Sequence, residues 1–365
     1  MAINIKINPI EPAYRQVERS LRRLIQTGKT QAMARLPTTA ELAIEWGVSR
    51  NTAQKALKAL KEEGLLERNT KKGTFVKRDN GKGVVGILIG ANLMSEDAYF
   101  YRALTHEIRQ AAGSHNWTCR VYDQLSDGKS REAAETKAHL LSDLTNHAFK
   151  GMIWIGFPSE DVTRAVLTSH LPRVMFGAAS GQGSVDIDLK SYVSSAVEYA
   201  VGEGRKKIMY LRTHHIVPGY QWDIDGFREA SAKSRLTQKD MWICPVKGIA
   251  AMKRDTGAYA YKQMNLEIEQ WRAKGIKPDA IIVPDDITMR GGGHALAEHK
   301  IKVPEETLVI CMTNKGINHS YDVPVVKYEV SVAGIVKVLI ETFLEQMDGK
   351  NAGEWPRWIK GKFSG

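Results

Sequence analysis

Residues 47–57 read "GVSRNTAQKAL", a turn residue and a potential cap set directly before a run of strong helix formers. Gly47 ends a short helical pattern, "AELAIEW" (40–46), which Thr38 or Thr39 can cap, and Ser49 can cap a further helix running to about Glu63 before Gly64. Two short helices joined by "GVS" make a helix-turn-helix pattern, in which the second helix enters a DNA major groove with its first turn at the base edges. In that helix Ala53, Ala56, Leu57 and Leu60 form an inward stripe, leaving Arg50, Asn51, Gln54 and Lys58 to project outward. Arg50, Gln54 and Lys58 are four apart and share a face. Arg and Gln can pair bidentately with guanine and adenine, while Lys58 and the helix N-terminus suit phosphates. The plainer alternative is a solvated polar face.

Working outward, "AYRQVERSLRRLIQT" (13–27) carries Val17, Leu21, Leu24 and Ile25 on one helical stripe, with Arg15, Arg19, Arg22 and Arg23 mostly off it. On the other side, "LLERNTKKGTFVKR" (65–78) reads as two short strands around a turn at 69–73, with Lys71 and Lys72 at its tip. A hairpin of this kind is a wing that reaches the DNA backbone or minor groove beside the recognition helix. Charge follows the same division. Of the formal +11, the first 80 residues hold 16 Lys or Arg against 8 Asp or Glu, a net +8, so a basic head precedes a nearly neutral body. A merely soluble basic surface is the alternative on charge alone.

Taken together, residues 12–78 resemble the GntR-type winged-helix domain of bacterial transcription regulators, through "LPTTAELA", "GVSRNTAQKALKALKEEGLLER" and "GTFV" in the family's order and spacing. The resemblance implies DNA binding by a homodimer on a pseudo-palindromic operator. Its contact positions are Arg50, Thr52 and the wing near Gly73, and Thr38, Ser49, Asn51, Gln54, Lys58, Lys71 and Lys72 complete the DNA-facing set. Ala40 and Gln54 depart from the family, which usually has Arg at the first position and often at the second.

After a polar stretch, "RDNGKG" (78–83), the pattern changes. "VVGILIG" (84–90) is a short apolar run of the sort that forms a buried parallel strand, and apolar strands then alternate with amphipathic helices to "TLVICM" (307–312). Two sheets' worth of βα units predict two α/β lobes, with a small-ligand cleft at the strand carboxyl ends. The expected division is a winged-helix domain over 1–78, a linker over 79–83 and a bilobed domain over 84–365. Its lobes would span 84–185 plus 310–328, and 186–309 plus 329–365.

The segments "VDIDLKSYVSSAVEYAVGEGRKKIMYL", "DIDGFREA", "KPDAIIVPDDITMRGGGHALAEHKIKVPEETLVICM" and "VPVVKYEVSVAGIVKVLIETFLEQM" resemble, in this order, the LacI-type and periplasmic sugar-binding fold. With the head, that points to an arabinose-repressor-like architecture, a dimer whose operator affinity changes when a small ligand binds. By the resemblance, ligand contacts fall at Phe100, Asp188, Asp223, Asp285 and Thr313. Carboxylates accept hydroxyl hydrogen bonds and rings cover apolar sugar faces, so the set suits a polyol. The family commonly has Arg at the position of Asp223, Asn at Asp285 and an acidic residue at Thr313.

Other features are given structural readings. "RGGGHAL" (290–296) lacks phosphate-loop spacing and reads as close helix packing or a local break. His214 and His215 have no suitably spaced third ligand, His294 and His299 do not share a helix face well, and no metal or cofactor is expected. Asp285 and Asp286 lack a nucleophile pattern; they orient hydroxyls or cap the next helix. Cys119, Cys244 and Cys311 read as buried free thiols. No secretion signal or membrane-spanning run is legible, so a cytoplasmic regulator is expected rather than an enzyme. A pyridoxal-type catalytic body would need a longer chain and a recognisable cofactor lysine, whereas a ligand-free dimeric scaffold remains an alternative.

Overall fold

A computed structural model describes residues 12–26, 35–62, 65–69, 73–76, 83–126, 130–146, 148–177, 181–213, 221–246, 256–350 and 353–364. They fall into two compact units, one from Met1–Asn92, Ile108–Ser184 and Leu339–Trp355, the other from Leu93–Glu107, Val185–Val338 and Pro356–Gly365.

The first unit begins with α1 (Ala13–Gln26), α2 (Thr39–Glu45) and α3 (Arg50–Glu62), followed by the hairpin β1 (Leu66–Asn69) and β2 (Gly73–Val76). Val17 and Leu21 of α1, Leu42 of α2, and Ala53, Ala56, Leu57 and Leu60 of α3 close a core with Leu66 and Val76 of the hairpin. The inward stripe read from the sequence is therefore the buried one. The hairpin pairs Asn69 with Gly73, and Arg35 bridges to Phe75 on its free side. Gly73 has φ +106°, a left-handed conformation that side chains resist. The tip residues Lys71 and Lys72 lie outside the described residues, as does the expected linker apart from Gly83, which already opens a strand.

That strand, β3 (Gly83–Ile89), belongs to a parallel array ordered β6-β5-β3-β4, formed with β4 (Trp117–Tyr122), β5 (Gly151–Ile155) and β6 (Arg173–Phe176). The helices α4 (Tyr99–Ser114), α5 (Arg131–Thr145) and α6 (Glu160–Thr168) alternate with these strands along the chain. Every residue of β5 is buried, as expected of a central parallel strand covered on both faces.

The second unit contains β7 (Ser184–Ile187, from Val185 on), α7 (Leu189–Gly202), β8 (Ile208–Thr213), α8 (Trp222–Lys233), β9 (Met241–Val246), α9 (Thr256–Lys274), β10 (Ala280–Val283), α10 (Asp286–Glu298), β11 (Leu308–Lys315) and β12 (Val326–Ser331). After α11 (Val332–Asp348) come β13 (Arg357–Ile359) and β14 (Lys362–Phe363). The main sheet runs β14-β12-β11-β10-β8-β9, parallel except for β14, which is antiparallel to β12, while β13 pairs in parallel with β7. Tyr192 of α7, fully buried, donates its hydroxyl to the Val283 carbonyl at 2.6 Å and fastens the helix to the sheet.

The lobe division read from the sequence is corrected here. Residues 310–328 do not return to the first lobe: Val309 and Cys311 of β11 pair with Ile281 and Val283 of β10 and hold the segment in the second sheet. Conversely, residues 339–355 belong to the first unit. The glycine run is helical throughout α10, and a Cβ on Gly291 would sit 1.9 Å from the Gly257 carbonyl oxygen of α9. Close backbone approach explains it. Cys244 and Cys311 are buried free thiols as expected, whereas Cys119, on the inward side of β4, is only half-buried because β4 is the edge strand of its sheet.

Candidate functional site

The head presents its polar groups through its caps. Thr38 and Glu41 form a reciprocal capping box: the Thr38 amide donates to Glu41 Oε2 at 2.7 Å, and the Glu41 amide donates to Thr38 Oγ1 at 3.3 Å. These bonds hold the Glu41 carboxyl below its ordinary range. Ser49 Oγ accepts from the Thr52 amide at 3.1 Å and lies 2.8 Å from Thr52 Oγ1, so both hydroxyls are committed to starting α3. Beyond this cap, Arg50, Asn51, Gln54 and Lys58 are all exposed, opposite the buried stripe. Thr38, Ser49 and Thr52 thus build the frame, and the long side chains form the face that meets solvent.

In the second unit the five residues expected at a ligand prove to be of different kinds. Asp188 caps α7, accepting from the Ser191 amide at 2.8 Å and hydroxyl at 2.5 Å, with Lys360 Nζ 3.7 Å away. Asp223 is fully buried in the first turn of α8 and is held by Arg212 of β8 through Nε at 2.6 Å and Nη2 at 3.1 Å, and by the Tyr210 hydroxyl at 3.0 Å. Its oxygens are committed to these bonds. The guanidinium that neutralises it comes from β8, the strand that precedes α8.

Asp285, Thr313 and Phe100 retain access or unmet bonding capacity. Asp285 caps α10, accepting from the Thr288 amide and hydroxyl, each at 2.8 Å. Burial pushes its carboxyl above the usual range. Thr313 is 3% exposed and its hydroxyl has no hydrogen-bond partner. Phe100 is half-buried, with its ring 5.6 Å from that of Tyr101.

Around Asp285 stand Asp286, read from the sequence with it as a hydroxyl-orienting or capping carboxylate, and several groups the sequence did not single out. Asp286, 2% exposed, accepts from Asn314 Nδ2 at 2.6 Å and the Tyr321 hydroxyl at 2.8 Å, and lies 3.0 Å from His319 Nε2. The His319 ring packs edge-on against Tyr99 at 4.8 Å and stacks with Tyr321 at 6.0 Å. Burial and the charges of Asp286 and Asp285 raise the Tyr99 phenol, and burial leads the same upward shift at Tyr101 and Tyr321. Arg290 pairs with Asp97. Parallel register is the signal that could have found this cluster: Ala280 pairs with Leu308, so continuing past the strand ends sets Asp285 beside Thr313 and Asp286 beside Asn314. His294 and His299 instead serve local bonds, to Asp322 at 2.7 Å and Asn265 at 2.7 Å. No group of metal-ligating residues occurs among the described residues, and His214 and His215 lie outside them.

Residues 13–76 match the family of bacterial regulatory proteins, gntR family, and residues 197–362 match the periplasmic binding protein-like domain. The chain therefore joins a gntR-family helix-turn-helix domain to a periplasmic-binding-protein-like domain. Along most of its length it resembles the HTH-type transcriptional regulator AscG of Escherichia coli (strain K12), 22% identical over 332 residues, 90% of either chain. Its head is 42% identical over 78 residues to the HTH-type transcriptional repressor NagR of Bacillus subtilis (strain 168), 21% of this chain and 31% of that one. The crystal structure of transcription regulator CcpA of Lactococcus lactis shares the fold, with a TM-score of 0.60 at 17% identity over 78% of this chain and 98% of that one.

Proposed function

We propose that the protein is a transcription regulator, a repressor, that binds a DNA operator through its winged-helix head and changes operator affinity when a small ligand occupies the second domain. The observation that carries this reading is the exposed row Arg50–Gln54–Lys58 on a helix whose other face is wholly committed to the core. A helix in this setting can lay that row along a major groove, Arg50 and Gln54 toward base edges and Lys58 toward phosphate. Names of its relatives, a regulator over nearly the full length and a repressor over the head, agree with it. The protein acts as a homodimer, so the operator is pseudo-palindromic, and no membrane or catalytic cofactor takes part.

The ligand is a carbohydrate or sugar derivative held at the carboxyl ends of β10 and β11, where Asp285 and Thr313 stand, with the Phe100 and Tyr99 rings as candidates to cover its apolar face. Coupling of about 1 to 3 kcal/mol between the two sites would change operator affinity roughly 5- to 150-fold. Fluorescence anisotropy on the chain's own upstream DNA at fixed salt, with and without a panel of mono- and disaccharides, tests the reading. Specific binding weakened by one sugar supports it. Specific binding that no sugar alters would leave a regulator with a non-sugar effector or a DNA-binding scaffold, and absence of specific binding would overturn the whole assignment.

A further inference from the structure

The cluster at the carboxyl ends of β10 and β11 carries an excess of negative charge. Asp285 and Asp286 are consecutive, and among the described residues neither forms an ion pair with lysine or arginine; Arg290, the cation beside Tyr99, pairs with Asp97. Asp285 stays partly accessible, as do Tyr99 and Tyr321, whereas Asp286 is fixed by Asn314 and Tyr321. An independent observation comes from Thr313. Its side chain is more than nine-tenths buried, its hydroxyl has no partner, and the β10–β11 register, which ends at Val283 opposite Cys311, places it beside Asp285 when continued by two residues. The two carboxylates accept from Thr288, Asn314 and Tyr321 yet have no lysine or arginine beside them, and the Thr313 hydroxyl is left with bonding capacity that a further group can use.

We propose that the ligand of the second domain carries a protonated amine, bound by the Asp285 and Asp286 carboxylates and the Thr313 hydroxyl beside the rings of Tyr99 and Tyr321. This rests on the regulator reading above and narrows its ligand class from a neutral polyol to an ammonium-bearing one. An ammonium has three donors and no acceptor, which suits a site lined by carboxylates and a hydroxyl without requiring the protein to supply a hydrogen. A neutral ligand settling over Asp285 would strip water from a carboxylate and return no charge, whereas an ammonium offsets that cost directly. The phenol rings add attraction for a cation across their faces.

The test uses the full-length protein, isothermal titration and paired probes: glucosamine with glucose, galactosamine with galactose, N-acetylglucosamine as a neutral amide, and putrescine and spermidine as amines without a ring. At least one amine should bind at least about tenfold more tightly than its uncharged counterpart, the scale of a hydrogen bond to a charged group. Asp285→Asn keeps an acceptor for capping α10 but removes the charge, and should weaken that amine about tenfold or more, against a clearly smaller change for its uncharged counterpart. Equal affinity for charged and neutral partners, binding by no amine in the panel, or an amine indifferent to Asp285→Asn would each overturn the proposal. Operator binding without probe, measured on the same preparation, reports separately on the regulator reading.

Discussion

At the scale of single residues, the buried Arg212–Asp223 pair and the capping carboxylate Asp285 carry opposite consequences. Asp223 is fully buried and its Arg212 partner nearly so, with Tyr210 closing the group. Arg212→Ala would leave an uncompensated carboxylate in the interior, and we expect a loss of about 3 to 5 kcal/mol in urea unfolding. Arg212→Ala with Asp223→Ala should recover part of that loss, because the double variant buries no lone charge. Asp285 titrates the other way. Its carboxyl is raised by burial, with Asp286 adding to the shift and the Thr288 bonds opposing it, so the folded state binds the proton more tightly than the unfolded chain. Stability from this group is therefore present at acid pH and is lost as pH rises through the folded value. Asp285→Asn should melt at or above the wild-type temperature at pH 8, and the gap should close on acidification below the ordinary carboxylate range. A wild-type advantage at pH 8 would show that the charged form is favoured in the fold.

At the scale of elements, α3 and the α9–α10 pair make separate demands. Ser49 starts α3 by capping Thr52, so Ser49→Ala should cost about 1 kcal/mol of stability, read by thermal unfolding. Arg50→Ala and Gln54→Ala leave the core untouched; each should lose about 1 to 3 kcal/mol on the operator for a true base contact and much less on random DNA. Equal losses on both would make Arg50 a phosphate contact. Gly291→Ala would push α10 away from Gly257, and a cost of about 1 to 3 kcal/mol is expected in urea unfolding. The sequence showed most of these elements because caps and apolar periods are local. It did not mark β12 and α11 as elements. Half-buried "VKYEVS" shows only partial alternation, and the residue that caps α11, Ser331 accepting from the Gly334 amide at 3.1 Å, is the last residue of that strand, so no separate boundary marks the change.

At the scale of the whole molecule, the charge division read from the sequence has a measurable counterpart. With net +8 in the first 80 residues, binding to random DNA should weaken linearly in log affinity against log salt, and Lys58→Ala should reduce the slope by about one if it contacts a phosphate. The two-sheet architecture was legible because βα alternation repeats twice, but the lobe membership of 310–328 was not. Strand order, not local pattern, decides which sheet a segment joins, and β11 follows β10 in register. The same reason hid much of the site. Asp286 meets Asn314 28 positions away, and the rings of Tyr99, His319 and Tyr321 come from irregular segments or helix ends where no periodicity points inward. Asp223, conversely, stood out in the sequence but proves to be part of the scaffold.

Among the described residues, the head's hydrophobic interior is drawn from residues between Val17 and Val76, and the row on α3 contributes nothing to it. A chain organised in this way keeps its address and its message in separate stretches of the gene. Under the proposed function, substitutions along one helical face would redirect it to a new DNA site without repacking any core, and drift around Asp285 would retune the signal it answers without altering the sequence it reads.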